Sequence, residues 1–482
     1  MARQLKQPEM LILLISFGLA ILTEVSFFHG RIGISYPIFI LAFYIVVFFR
    51  FKFAFQHRRI GLLLMVSIWI LSANYLFYDI FFFHLLNILL IPMLIFIHIV
   101  LITSKEELTW GKASFIYILF QKLDHIFVYI RSFVRQGFKR MFQKNHSFVK
   151  VILGIVLAIP LIYIVLLLLM SADAQFERLV QQLPDFLFHI RISAIFRVLF
   201  IILSSLLFLG LFQAVDRQVS TKVSLPKQVN WDKITAITIL SLINIVYFVF
   251  VIVQFTYLFN GRLMDGYTYA EYARQGFFEL LIVLLINWTI LILFLKFVKP
   301  KRKVYRAILK GLYTVLIVMS GIILFSAYIR LTMYEEAYGF TLSRVLAHVF
   351  MIYLIVIFVY TLIRVWLEKL PLLHFYIIVG IIFYTGLNAI NLEQIIVDKN
   401  IERYEKTGKI DIHYLNHLSA TGTLELVRLY EKQEDIEDLD EVLKHEQTYI
   451  QNESYSSSWQ SYNFAREKLK KDLLRIEVRG DN

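Results

Sequence analysis

The stretch IFFFHLLNILLIPMLIFIHIVLIT (80–103) carries no Asp, Glu, Lys or Arg along its whole length. As an α-helix rising 1.5 Å per residue, it is long enough to cross the roughly 30 Å hydrocarbon core of a bilayer. In lipid a backbone must satisfy its own polar groups, which leaves only helices and closed barrels. The apolar run is continuous rather than alternating, so the prediction is a helix.

Comparable runs occur at 10–28, 32–49, 60–78, 149–170, 193–214, 234–258, 276–296, 309–329, 343–364 and 372–391. With 80–103 they make about eleven expected spans. The composition agrees: 59% hydrophobic, 18% charged, 44 Phe and mean hydropathy +0.67. Soluble domains carry about 25% charged residues. The predicted class is all-α: a polytopic transmembrane helical bundle with a small helical extracytoplasmic tail, its main partner the lipid bilayer.

The net charge of +13 would suit a nucleic-acid binder, but its placement points elsewhere. Arg50, Lys52, Arg58 and Arg59 fill the second loop, and Lys299, Lys301, Arg302, Lys303 and Arg306 the eighth. Nine further cations between Lys105 and Lys150 crowd the fourth. Odd-numbered loops are acidic or mixed, with Asp79 in the third. Basic loops stay cytoplasmic, so the N-terminus is expected inside and the C-terminus outside, with no nucleic-acid partner. The start, MARQLKQPEMLILLISFGLAILTEVSFF, resembles a signal sequence but reads as an uncleaved first span. With no Cys there are no disulfides, thiolate metal sites or cysteine nucleophile.

Four regions are expected: a four-span membrane region (1–103), a cytoplasmic basic amphipathic segment (104–148), a seven-span core (149–391) and a helical tail (392–482). Within the second, apolar residues at 116, 119, 123, 126, 130, 133 and 137–138 repeat near a helical period. That pattern predicts a helix drawn to anionic lipid headgroups.

No phosphate-cradling Gly-rich loop, H-E-x-x-H or G-x-S-x-G motif occurs, and neither a metal nor a cofactor is expected. Four polar-aromatic stretches map to the outer side: SADAQFERL (171–179), GYTYAEYARQGFFEL (266–280), RLTMYEEAYGFTLSR (330–344) and NAINLEQIIVDKNIERY (388–404). Interfacial tyrosines and helix caps explain part of each stretch. The rest are candidates for an outward-facing cleft: Asp173, Glu271, Arg274, Glu279, Arg330, Glu335, Glu336, Arg344, Asn388, Asn391 and Arg403. Thr268 and Glu271 fit a capping box, which predicts an over-long helix from about Thr268 to Lys296. Glu279 falls near the hydrocarbon boundary and Arg330 at the same depth, so the two are expected to pair. Glu24 and Asn244, inside spans, are expected to hydrogen-bond between helices.

LLLMSADAQF, YAEYARQGFFELL, YEEAYGFTLSRV, LNAINLEQIIVDKNIERY, KIDIHYLNHLSATG and WQSYNFAREKL resemble, in order over about 150–470, the motifs of a bacterial membrane-protein family. That family is domain of unknown function 4173, related to 4153. The resemblance implies the bacterial cytoplasmic membrane and a tail belonging to the same unit as the spans. It implies no activity. The first functional reading is a non-enzymatic envelope sensor, assembly factor or transport accessory, recognising an envelope component or small ligand. A secondary transporter is the second. A membrane-embedded enzyme acting on a lipid-linked or envelope substrate is the third, with Glu271 or Glu279 as acid/base.

Overall fold

The structure, a computed structural model, describes residues 7–51, 57–104, 108–144, 192–215, 230–257, 276–434, 436–452 and 458–478, with individual positions between 151 and 178. Ten of the eleven expected apolar segments are helices: α1 (Gln7–Phe28), α2 (Ser35–Phe51), α3 (Arg58–Phe77), α4 (Phe81–Thr103), α6 (Ile192–Ala214), α7 (Lys233–Tyr257), α8 (Phe277–Phe297), α9 (Lys303–Tyr338), α10 (Leu342–Trp366) and α11 (Leu372–Ala389). Nine of these are long and apolar enough to cross a bilayer, and α2 is a shorter apolar helix. The expected span at 149–170 lies mostly outside the described residues. No strand occurs among those described.

The helices pack in two groups. Leu19, Tyr36, Phe43, Tyr44, Ile68, Ile95 and Phe212 form one core, built from α1–α4 and α6. Leu240, Leu284, Leu316, Ile323, Leu354 and Phe358 form another, from α7–α10. α11 lies against both α3 and α10 and joins the groups. Outward-facing residues such as Phe81, Leu89, Val249 and Phe278 are exposed and apolar, as lipid-facing surface should be.

The amphipathic segment is one helix, α5 (Ala113–Lys144). Its apolar residues have two destinations. Phe115, Ile118 and Ile126 are buried, while Ile116, Phe120 and Phe127 are exposed. Gly210 on α6 lets the helices approach, since a Cβ there would sit 2.9 Å from Ile126. Lys122 is buried too, its ammonium donating 2.6 Å to the Val215 carbonyl at the end of α6. A cation at a helix C-terminus satisfies an orphan carbonyl and complements the dipole.

One helix starts later than expected. Gly276 has φ 87° and ψ −4°, a left-handed geometry that breaks the α-helical path, so α8 begins at Phe277. The capping box at Thr268 and Glu271 lies outside the described residues. The over-long helix is instead α9, whose 36 residues span about 54 Å. Both its ends project beyond roughly 30 Å of hydrocarbon.

The tail forms α12 (Leu392–Thr407), α13 (Ile412–His417), α14 (Ser419–Glu431), α15 (Leu439–Asn452), a 3₁₀ turn (Trp459–Ser461) and α16 (Phe464–Leu473). It has its own core of Ile396, Leu415, Leu426, Leu429, Leu443 and Leu473. Gly422 permits the α13–α14 crossing, because a Cβ there would overlap the Leu415 carbonyl.

Candidate functional site at the tail–bundle junction

The tail meets the bundle at the α3–α4 turn and the α1–α2 loop. Asn463, fully buried, caps α16 by accepting from the Arg466 N–H at 3.1 Å. Its side-chain amide donates to the carbonyls of Tyr75 and Tyr78, each at 2.8 Å, closing the C-terminus of α3. Opposite, the Ile34 N–H donates 2.9 Å to the Tyr462 carbonyl. Backbone approaches backbone so closely there that only Gly fits at position 33: an added Cβ would meet the Tyr462 oxygen at 2.4 Å.

Two charged side chains, Arg466 and Glu393, are buried at this junction, and Asp79 is half-buried. Arg466 on α16 lies 3.5 Å from the Asp79 carboxylate in the α3–α4 turn, and its guanidinium donates to the Ile32 carbonyl at 3.3 Å. Burial pushes the Asp79 carboxyl up, against the pull of Arg466 and Arg31. Glu393, in the first turn of α12, is 4% exposed and accepts a hydrogen bond from the Ser419 hydroxyl. Burial first, then the Asp79 charge, raise its carboxyl to about 7, opposed by the Ser419 bond. Below, Tyr75 stacks on His84 with ring centroids 4.2 Å apart.

Two of the expected residues belong here. Asn388, 1% exposed, accepts from Asn87 at 2.7 Å on its side chain and from Asn74 at 3.1 Å on its carbonyl. It donates to the Tyr384 carbonyl, and the Tyr384 hydroxyl reaches Asn87 at 2.8 Å. This amide network ties α11 to α3 and α4. Asn391 caps α12 through the Gln394 N–H at 3.2 Å and touches Thr421 at 3.4 Å.

A second group surrounds the turn between α9 and α10. Glu335 is buried and lies 2.7 Å from His348 Nε2. Arg344 bonds the Gly339 carbonyl and stacks 4.0 Å over the Tyr334 ring. From α12, Arg403 donates to the Glu336 carbonyl at 3.1 Å, Ala337 at 2.9 Å and Lys409 at 3.1 Å. It thus caps α9 from the tail, and the Glu336 side chain remains exposed.

The remaining candidates lie apart. Arg330 is buried one to two turns before Glu335, with Nη2 3.4 Å from Gln254 Oε1, which also accepts from Ser326 at 2.8 Å. Its expected partner Glu279 is exposed in the first turn of α8, and no Glu279–Arg330 pair occurs among the ion pairs of the described residues. Glu279 points to the exposed face of α8, whereas Arg330 lies against Gly276 at its head, 3.2 Å from where a Cβ would sit. Asp173 is exposed and accepts from the Gln175 and Phe176 N–H groups as a local turn. Glu271 and Arg274 lie outside the described residues. Asn244 hydrogen-bonds between helices as expected, donating to the Leu312 carbonyl, whereas Glu24 makes an ion pair, 3.6 Å from Arg197 of α6.

Among the described residues no group of three or more His, Asp or Glu side chains is placed to hold a metal. Sequence reasoning missed Glu393, Ser419, Asn463 and Arg466, and used Asp79 only as a topology marker. The available signal was an Asx cap, Asn463 three residues before Arg466, opening a charged helix.

The long apolar helices and the docked helical tail define a multi-pass all-α membrane protein. The chain belongs to the family described as Domain of unknown function (DUF4153), whose model matches residues 65–429. The match supports the related family, not 4173 as the motifs suggested. It begins inside α3, well before residue 150, and ends short of the WQSYNFAREKL motif. No curated protein and no solved structure matches the chain.

Proposed function

We propose that this chain is a non-enzymatic coupling protein of the bacterial cytoplasmic membrane, in which an external helical tail senses envelope conditions and conveys them to the bundle. One observation carries the reading: Arg466 of the tail, buried, lies against the half-buried Asp79 of the α3–α4 turn, with the buried Glu393 close enough to feel the Asp79 charge. A purely static brace is better made of apolar residues, because buried charges must recover their desolvation cost. Titratable groups at an interface instead make docking depend on conditions. The basic second, fourth and eighth loops support an orientation with the tail outside.

The test uses the absence of native Cys. Spin labels at Phe81→Cys, on the exposed start of α4, and Lys468→Cys, on α16, report tail–bundle distance by pulsed EPR. The reading expects one narrow distance at pH 5 and a broadened one at pH 8. Identical distributions at both, in the parent and in Arg466→Gln, would make the tail a fixed brace.

A second reading, a secondary transporter, draws on Glu335 and His348. A buried carboxylate–imidazole pair among bundle helices has the composition of a proton relay.

A further inference from the structure

The end of the α7–α10 group away from the tail holds a pocket unlike anything at the junction. It encloses about 320 Å³ where α8 ends, α9 begins and α10 ends. Lys299, Arg306, Lys310 and Arg364 line it, with Glu368 as the single carboxylate. Glu368 is committed to Lys310 at 2.9 Å, which holds its carboxyl below the usual range and leaves the site cationic. The loop is built rather than loose: the Lys299 N–H donates to Asn230 at 3.1 Å and the Trp231 N–H to the Phe297 carbonyl at 2.9 Å.

Two donors inside the pocket are unused. Tyr313 is 4% exposed, and its hydroxyl is buried with no hydrogen-bond partner among the described residues. The same holds for Nε of Arg364. Burying a donor without a partner is costly, so a site that keeps two is shaped for an acceptor. Arg and Lys beside a hydroxyl are the donor set for a phosphate group, Arg supplying the planar fork. Beside the lining residues Leu309, Val365 and Glu368 in sequence, Ile308, Trp366 and Leu367 are exposed and apolar, and the Lys310 ammonium lies 5.8 Å from the Trp366 ring. An acceptor that arrives with hydrocarbon attached would cover them.

We propose that this pocket binds the phosphate of an anionic lipid headgroup, with Arg306 and Arg364 as the principal donors and Tyr313 as the buried one. The lipid's chains lie along Ile308 and Trp366. Basic pockets between membrane helices recognise headgroups in this way. The site is separate from the tail junction and does not depend on the function proposed for it.

Native mass spectrometry of the full chain in detergent tests this, with phosphatidylglycerol and phosphatidylcholine as probes and inorganic phosphate as competitor. Phosphatidylglycerol should be retained over phosphatidylcholine, and the paired substitutions Arg306→Gln and Arg364→Gln should weaken it about tenfold, the loss of one charge-assisted contact or more. Tyr313→Phe, which keeps the ring and the fold, should weaken it a few-fold. Arg306 is exposed, so its single substitution leaves packing intact and separates lost binding from misfolding. Equal retention by parent and variants overturns the site, as does equal retention of the two lipids. Displacement of the lipid by equimolar inorganic phosphate overturns the lipid assignment in favour of a free anion.

Discussion

Asn463 of the tail donates its side-chain amide to the carbonyls of both Tyr75 and Tyr78, each at 2.8 Å, while its oxygen caps α16. One side chain satisfies the end of a bundle helix and the start of a tail helix.

Asn463→Ala should therefore free the tail. It orphans two carbonyls and removes a cap, for about 2–4 kcal/mol in total. Limited proteolysis of the purified protein should cut the tail faster in the variant. Asn463→Asp should be at least as damaging, because it keeps the cap but sets a carboxylate against two carbonyl oxygens.

Docking should strengthen in acid. The docked Glu393 carboxyl titrates near 7, against 4.5 when free. Below pH 4.5 both states are protonated, and the docked form carries no ionisation cost. Between about 4.5 and 7 the free carboxyl ionises first, so docking stability falls as pH rises. The loss reaches at most about 3 kcal/mol above pH 7, because part of the Glu393 environment, the Ser419 bond included, lies within the tail itself. Asp79, also raised by burial, acts with the same sign. Tail protection by hydrogen exchange should fall from pH 5 to pH 8, and Glu393→Gln should flatten most of that slope. An unchanged slope in the variant would assign the dependence elsewhere.

Gly33→Ala should displace the 458–463 segment, since its Cβ would lie 2.4 Å from a backbone oxygen that cannot rotate away. A loss of about 1–3 kcal/mol is expected for such overpacking. Its signature is a broadened Phe81–Lys468 label distance while α-helical circular dichroism is retained.

Arg403→Lys should unravel the last turn of α9. Lys has one compact ammonium where Arg403 reaches three carbonyls. Destabilisation of about 1–2 kcal/mol, read by thermal unfolding, separates this capping role from a ligand-binding one, which would leave the melting temperature unchanged.

Glu335→Gln decides between the two functional readings. If the chain moves protons, the substitution should abolish flux into proteoliposomes while the protein stays folded, because Gln keeps a partner for His348. Equal flux in parent and variant would remove the transporter reading.

The class and most of the helices were legible from local sequence, because long apolar runs have one low-energy form in lipid and report it locally. The bounds of α4, α6 and α10 could be read almost to the residue. The apolar run 276–296 also matches α8, but the capping box placed the start of its helix near Thr268, and only the folded backbone takes the left-handed turn at Gly276. Tertiary structure also decided the site. Asp79, Glu393 and Arg466 are far apart in the chain and individually resemble ordinary loop or surface charges. Their burial depends on where the tail lands, which no local period encodes. Glu335, Asn388 and Asn391 were visible as polar residues beside spans, yet their partners His348, Asn87 and Thr421 come from other helices. Sequence placed the polar groups at the bundle's end, and packing chose which of them face one another.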